Sequence, residues 1–311
     1  MIRAAVIWLL LALPATAFPI QRCVNLSNAL EAPNEGDWGY RISNEDIAAI
    51  AKDGFDTIRL PVRFSNWISD GQIAPELLAR VDQVIREALK HDLKVILDLH
   101  HFEELMKDPR AQADTFVTIW SVLSKHYADW PQELIFELLN EPYGPLDTAG
   151  ADALYDRAIP IIRKTNPDRW IIVGGGHWNR MSEVKKLKPR DDRVAYTFHF
   201  YFPFLFTHQG AEWVDPPPPV REPLTQEEMR KITDVFAGFP SFGRPVLLGE
   251  FGAYQKVIPT KQRAVWTRAV REAAETAGLG WCHWGYASGF RLVSDDRTWL
   301  PHMREALFDK N

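Results

Sequence analysis

The chain has 311 residues, 46% of them hydrophobic, enough to bury one large core without a second domain. A formal net charge of −5 and 36 basic residues spread without a dense block argue against a nucleic-acid partner.

Read from the start, residues 1–17 carry Arg3, an apolar run from Ala4 to Leu13, and the small residues Ala15-Thr16-Ala17. That is the pattern of a cleaved signal peptide, and the run is short for a permanent span of ~20 residues. Residues 18–311 are expected to form the mature domain, secreted or periplasmic, with no membrane contact after cleavage.

Eight short apolar or β-branched runs follow in order: Cys23–Leu26, Thr57–Val62, Lys94–His101, Leu134–Leu139, Trp170–Gly174, Val194–Tyr201, Val246–Gly252 and Trp281–Tyr286. Each suits a buried parallel strand. Between them lie helical stripes. Leu77, Val81, Val84, Ile85 and Ala88 form one, and Phe116, Ile119, Trp120, Leu123 and Tyr127 another. Leu154, Ala158, Ile161 and Ile162 make a third, and Trp266, Ala269, Val270 and Ala273 a fourth. After the fifth run only Ser182–Lys188 remains, so that helix should be abbreviated. Strand–helix alternation repeated eight times predicts an α/β fold, a single (β/α)8 TIM barrel. No linker or repeat marks off another module; Asp215-Pro216-Pro217-Pro218-Pro219 reads as a stiff surface loop. Cys23 and Cys282 fall in the first and last runs, neighbours in a closed barrel. Export permits oxidation, but the simpler expectation is two buried thiols, because bonding depends on geometry that sequence withholds.

Reactive groups of such a barrel lie at the C-terminal ends of its strands. The polar residues there are Arg59, His100-His101, Asn140-Glu141-Pro142, His199, Tyr201, Glu250 and Trp284. Glu141 and Glu250 each follow a run too apolar for the surface, and strands four and seven can face each other across a barrel mouth. Two carboxyl groups on either side of an acetal bond are what glycoside hydrolysis needs. Twelve Trp, eight Tyr and 17 Phe mostly serve packing, with the remainder free to stack on sugar rings.

With these residues in view, the sequence resembles glycoside hydrolase family five, and closely its bacterial endo-β-1,4-glucanases. The matching stretches are Val24–Pro33, Ile58-Arg59-Leu60-Pro61, Asp98-Leu99-His100-His101, Phe136–Pro142, His199-Phe200-Tyr201, Phe206–Trp213, Gly249-Glu250-Phe251-Gly252 and Trp284. Departures are Phe200 and Phe202, where tyrosine is common, and Cys23, where glycine is. The resemblance implies a retaining double displacement with Glu141 as acid/base and Glu250 as nucleophile. It implies that Arg59 and Tyr201 hold Glu250, that His199 sits by Glu141, and that Asn140 meets the sugar 2-OH. His100 and His101 would line the glycone side above Trp284, with Asn28, Glu31, Trp178, His208 and Trp213 as further sugar contacts. The expected partner is a β-linked polysaccharide or oligosaccharide, bound by a monomer that needs no cofactor.

Other readings are weaker. Adjacent histidines on a strand point to opposite faces and lack a third ligand spacing, so no metal site is expected. Gly174-Gly175-Gly176 lacks the context of a phosphate loop. Asp98 and Glu137 lie inside strands and suit buried partners for an interior cation. Trp38, Trp67, Trp120 and Trp266 are assigned to core or rim. An endo-β-1,4-mannanase or mixed glucanase/mannanase and a non-catalytic glycan-binding barrel remain the alternatives; an esterase lacks its G-x-S-x-G elbow.

Overall fold

The computed structural model describes residues 18–239 and 243–309; the expected signal peptide lies outside them. Eight parallel strands close into a barrel. They are β1 (Arg22–Asn25), β2 (Thr57–Val62), β3 (Lys94–Leu99) and β4 (Leu134–Glu137). The circle continues with β5 (Ile171–Gly174), β6 (Val194–Phe200), β7 (Val246–Phe251) and β8 (Gly280–His283), which pairs with β1. All eight expected strands are present. Most are shorter at their C-terminal ends than the apolar runs suggest, because the last residues leave the sheet to build the mouth.

Local chemistry sets the helix ends. In α1 (Asn44–Asp53), Ser43 accepts from the Asp46 amide while Asp46 accepts from the Ser43 amide, and Gly54 closes the helix at φ 102°. In α2 (Pro75–Lys90), proline sits in the first turn and the predicted stripe from Leu77 to Ala88 is buried. Asp108 caps α3 (Pro109–His126), and Asp147 caps α4 (Thr148–Arg163). After β5 the chain makes only short turns, at Gly176–Asn179 and Met181–Lys186, as the sparse periodicity there predicted. A second capping box, Thr225 with Glu228, starts α5 (Gln226–Ala237), and α6 (Thr260–Thr276) buries Trp266.

Two cores result. The large one fills the space between sheet and helices. A smaller one, with Cys23, Ile96, Ile135, Ile172, Ala195, Leu247 and Cys282, floors the barrel interior. Strand alternation then puts the residue two further along on the same inward face. Asn25, Asp98, Glu137 and Thr197 therefore form a polar layer directly above this apolar floor.

Cys23 and Cys282 correct an expectation: they are bonded. Parallel pairing of β1 with β8 sets them side by side in register, both pointing into the floor. Cys23 is thus half of a bolt across the barrel seam. The bond spans 259 residues of chain, and its stabilisation in the chain-entropy view is about 5 kcal/mol. The double variant C23A/C282A is expected to melt about 10 °C lower than the oxidised protein. An unchanged melting temperature would show that the seam holds without it.

Candidate active site

Arg59 is the centre of the site. It is the third residue of β2 rather than its end, as the sequence suggested, and it is wholly buried. Its Nε and Nη2 form a fork on Glu137, at 2.7 and 2.9 Å. Nη2 also donates to Asn140 Oδ1 at 2.8 Å and lies 3.0 Å from Asp98. Nη1 donates to Asn25 Oδ1 at 2.9 Å and to Glu250 Oε1 at 2.7 Å. Asp98 and Glu137 are the buried partners expected of them.

Glu250 is held at both oxygens, since Tyr201 donates to Oε2 at 2.9 Å. A register shift between β6 and β7 skips Gly249 and pairs His199 with Glu250. Gly249 is required there: a Cβ would lie 2.4 Å from Thr197 Oγ1 and 3.1 Å from His199 Nε2. Glu141 stands beyond β4 in a left-handed conformation, φ 45°, and its Oε1 meets His199 Nδ1 at 2.6 Å. Single atoms of Glu141, His199 and Glu250 all lie within 4.8 Å of one another. The trio is compact enough to share a cation. Its donor set reads otherwise, because His199 Nδ1 is engaged by Glu141 and Arg59 already supplies the positive charge at Glu250.

Burial pushes the Glu141 carboxyl up to about 8, and Asp98 and Glu137 add to the rise while Arg59 opposes it. Burial also raises Glu250, to about 7, held lower by His199, Arg59 and the Tyr201 hydroxyl. The two carboxyls sit in unequal surroundings, since the Arg59 cation and the Tyr201 hydroxyl donate to Glu250 while Glu141 meets the imidazole of His199. His199 is lowered to about 4, mainly by burial, and stays neutral with one ring proton.

The amide of Asn140 is oriented by its neighbours. Arg59 only donates, so Oδ1 faces it and Nδ2 faces His100 Nε2 at 3.3 Å. His100 then carries its proton on Nδ1 and gives it to Asp98, 2.5 Å away. The expectation that His100 and His101 point to opposite faces is not met. β3 ends at Leu99, His101 turns at φ 52°, and the two rings meet edge to face at 4.5 Å. Trp284, the first residue after β8, stacks on His100 at 5.6 Å and 10°.

Around this centre the rim is aromatic. Trp178 is 56% exposed and stacks on Tyr143 at 5.3 Å. Trp213 is 59% exposed and stands edge-on to Tyr254, near the buried His208. Trp38, a rim residue, packs against His101, whereas Trp120 and Trp266 are core. Asn28 takes a left-handed turn (φ 65°), and Glu31 is buried with its oxygens accepting the Asn28 and Ala29 amides. Glu31 thus shapes the loop that carries Asn28. Phe200 packs on Phe236, while Phe202 is exposed. The sequence reading missed Asn25, Tyr143 and Asn179. Asn25 and Tyr143 adjoin or lie within the matching stretches, which was the available signal; Asn179 had none.

A family model described as "Cellulase (glycosyl hydrolase family 5)" matches residues 19–288. The chain is 31% identical to Endoglucanase H of Acetivibrio thermocellus across 92% of its own length, and spans 32% of that longer protein. A hyperthermophilic endo-β-1,4-glucanase, solved in complex with substrate, superposes with a TM-score of 0.89 at 39% identity, covering 93% of this chain and 97% of that one. Cel5A of Thermotoga maritima, solved with mannotriose, superposes with a TM-score of 0.88 at 34% identity over 93% and 97%.

Proposed function

The chain belongs to glycosyl hydrolase family 5, and from that premise we propose that it is an exported, retaining endo-β-1,4-glucanase. The observation that carries the proposal is the pair Glu141 and Glu250, with atoms within 4.8 Å of each other at the barrel mouth. A closest approach of that order is compatible with the ~5–5.5 Å separation of retaining enzymes and supports retention over inversion, whose carboxyls stand ~6.5–9.5 Å apart.

In the first step Glu141 gives its proton to the glycosidic oxygen as the C1–O bond breaks. A Glu250 oxygen bonds C1, forming a glycosyl ester. In the second, Glu141 takes a proton from water, the water oxygen attacks C1, and the Glu250 carboxylate leaves. Glu141 is the candidate for the acid because burial holds its carboxyl up, and Glu250 for the nucleophile because Arg59 and Tyr201 both donate to its oxygens and favour its ionised form. Asn140 Nδ2 uses one hydrogen on His100 and has its second free for a sugar 2-OH. Trp284 on His100 offers a flat face for the same sugar ring.

The purified mature chain is expected to release reducing ends from carboxymethyl cellulose and mixed-linkage glucan while viscosity falls early, as internal cleavage requires. Release from neither polymer would overturn the assignment. The mannotriose complex of a similar structure supports a second reading, cleavage of β-1,4-mannan. Glucose and mannose differ at C2, so contacts near Asn140 decide between them. Parallel assays on mannan and glucan separate the two.

A pH profile tests the division of roles. For kcat/KM, activity should rise as Glu250 ionises, about 7, and fall as Glu141 loses its proton, about 8. With Glu141→Ala and a dinitrophenyl glycoside, whose leaving group needs no proton, the alkaline limb should vanish. If that limb persists, some other group is responsible for it.

A further inference from the structure

His199 bridges two residues, only one of which the proposed chemistry uses. Its Nδ1 meets Glu141, and its Nε2 lies 3.4 Å from Nδ2 of Asn179, which is wholly buried. Asn179 arrives there by an uncommon backbone route. His177, Trp178 and Asn179 are three consecutive left-handed residues, at φ 54°, 56° and 51°. Such a run costs roughly 1–2 kcal/mol per residue, so surrounding contacts must hold it. The Trp178 amide is tied to the Pro142 carbonyl at 3.0 Å, next to Glu141. The turn throws Trp178 outward and Asn179 inward. Two glycines clear the seat: a Cβ on Gly174 would lie 2.1 Å from Asn179 Oδ1, and one on Gly249 would lie 3.1 Å from His199 Nε2. Asn179 Oδ1 has no hydrogen-bond partner, so the amide's one polar contact is His199.

Neutral imidazole carries a proton on one nitrogen, and the bond made by the other decides which. An amide NH2 aimed at Nε2 needs a lone pair there, which leaves the ring proton on Nδ1. Nδ1–H then donates to Glu141 Oε1. The carboxylic proton of Glu141 is consequently kept on Oε2, away from His199. With the opposite tautomer, Oε1–H would donate into Nδ1, and the proton needed by the leaving group would be held in that bond.

The geometry points to Asn179 as a positioning residue that fixes the His199 tautomer and thereby directs the proton of Glu141 to Oε2. This rests on the glycosidase reading for its consequence, though not for the hydrogen-bond assignment. The charged or titratable groups around His199 are Glu141, Glu250 at 3.4 Å, and, at longer range, Arg59, Glu137 and His100. None of them supplies a donor to Nε2.

Two measurements test it. In 15N-histidine-labelled protein, with the His199 signals identified by their loss in His199→Gln, Nδ1 should be protonated and Nε2 bare near neutral pH. In Asn179→Ala, kcat/KM, which reports the bond-breaking step alone, should fall roughly tenfold for phenyl β-cellobioside, whose leaving group must be protonated, and stay nearly unchanged for dinitrophenyl β-cellobioside, which needs no acid. A structural defect would depress both substrates alike, so equal losses would overturn the proposal. A proton on Nε2 in the unaltered protein would overturn it even if the variant fails to fold. If the unaltered protein cleaves neither cellobioside nor any β-glucan, the glycosidase reading falls instead, and the tautomer still decides the role of Asn179.

Discussion

Glu250→Gln is expected to lower turnover of soluble cellulose by at least ~10^4-fold while oligosaccharide binding survives. The amide keeps the shape and the Tyr201 contact but cannot form the ester at C1. Glu141→Gln should be nearly as damaging on cellulose, whose leaving group is a poor one, and far less so on an activated aryl glycoside. Azide separates the two roles. In Glu250→Ala the small anion can enter the vacated space and attack C1 once, giving the inverted, α-configured glycosyl azide. In Glu141→Ala it attacks the ester formed by Glu250, so two inversions give the β-azide. The opposite pattern of anomers would exchange the roles assigned to the two residues. Full hydrolysis by either Gln variant would remove that residue from the mechanism.

Arg59→Met is the other substitution with a large expected effect, and it acts on stability as well as rate. One guanidinium faces Glu137, Asp98 and Glu250, all within 3.0 Å of its nitrogens and all buried. Burial already raises Asp98 and Glu250 to about 7, with Arg59 opposing the rise, and raises Glu137 in the same direction. Removing the cation that bonds all three leaves buried carboxylates uncompensated, a loss of about 3–5 kcal/mol. The sign with pH follows from the raised values. A carboxyl whose folded value lies above its unfolded one favours the fold at low pH and disfavours it as pH rises. The variant's deficit in melting temperature should therefore be larger near pH 8 than near pH 5. Glu250 would also stay protonated at neutral pH, so kcat/KM should collapse. Arg59→Lys, which keeps the charge but not the fork onto Glu137, should fall between. A melting deficit independent of pH would point to lost packing rather than lost charge compensation.

Much of the site was legible because strand ends have a sequence signature. Leu134–Leu139 and Val246–Gly249 are apolar enough to be interior, and the glutamates that follow must emerge where the sheet does. Arg59 was legible as a cation near Glu250 but misplaced. It sits mid-strand, because a side chain as long as arginine reaches the centre of a barrel from below its mouth. His101 was misread for a backbone reason: alternation of faces ends with the strand at Leu99, and the left-handed backbone of His101, two residues on, brings its ring against that of His100. Exposure of Trp178 and Trp213 was anticipated only through resemblance, since aromatic residues in loops carry no periodicity.

What the sequence determined by itself is what depends on near neighbours. The eight strand runs, the helix stripes, and the emergence of Glu141 and Glu250 where their apolar runs end follow from periodicity within a few residues. Tertiary structure alone decided which distant atoms meet. Closure in register joined Cys23 to Cys282, the β6/β7 shift set His199 against Glu250, and a left-handed turn aimed Asn179 at the imidazole. Those contacts depend on shifts of a few ångströms between elements far apart in the chain, and no local preference encodes them.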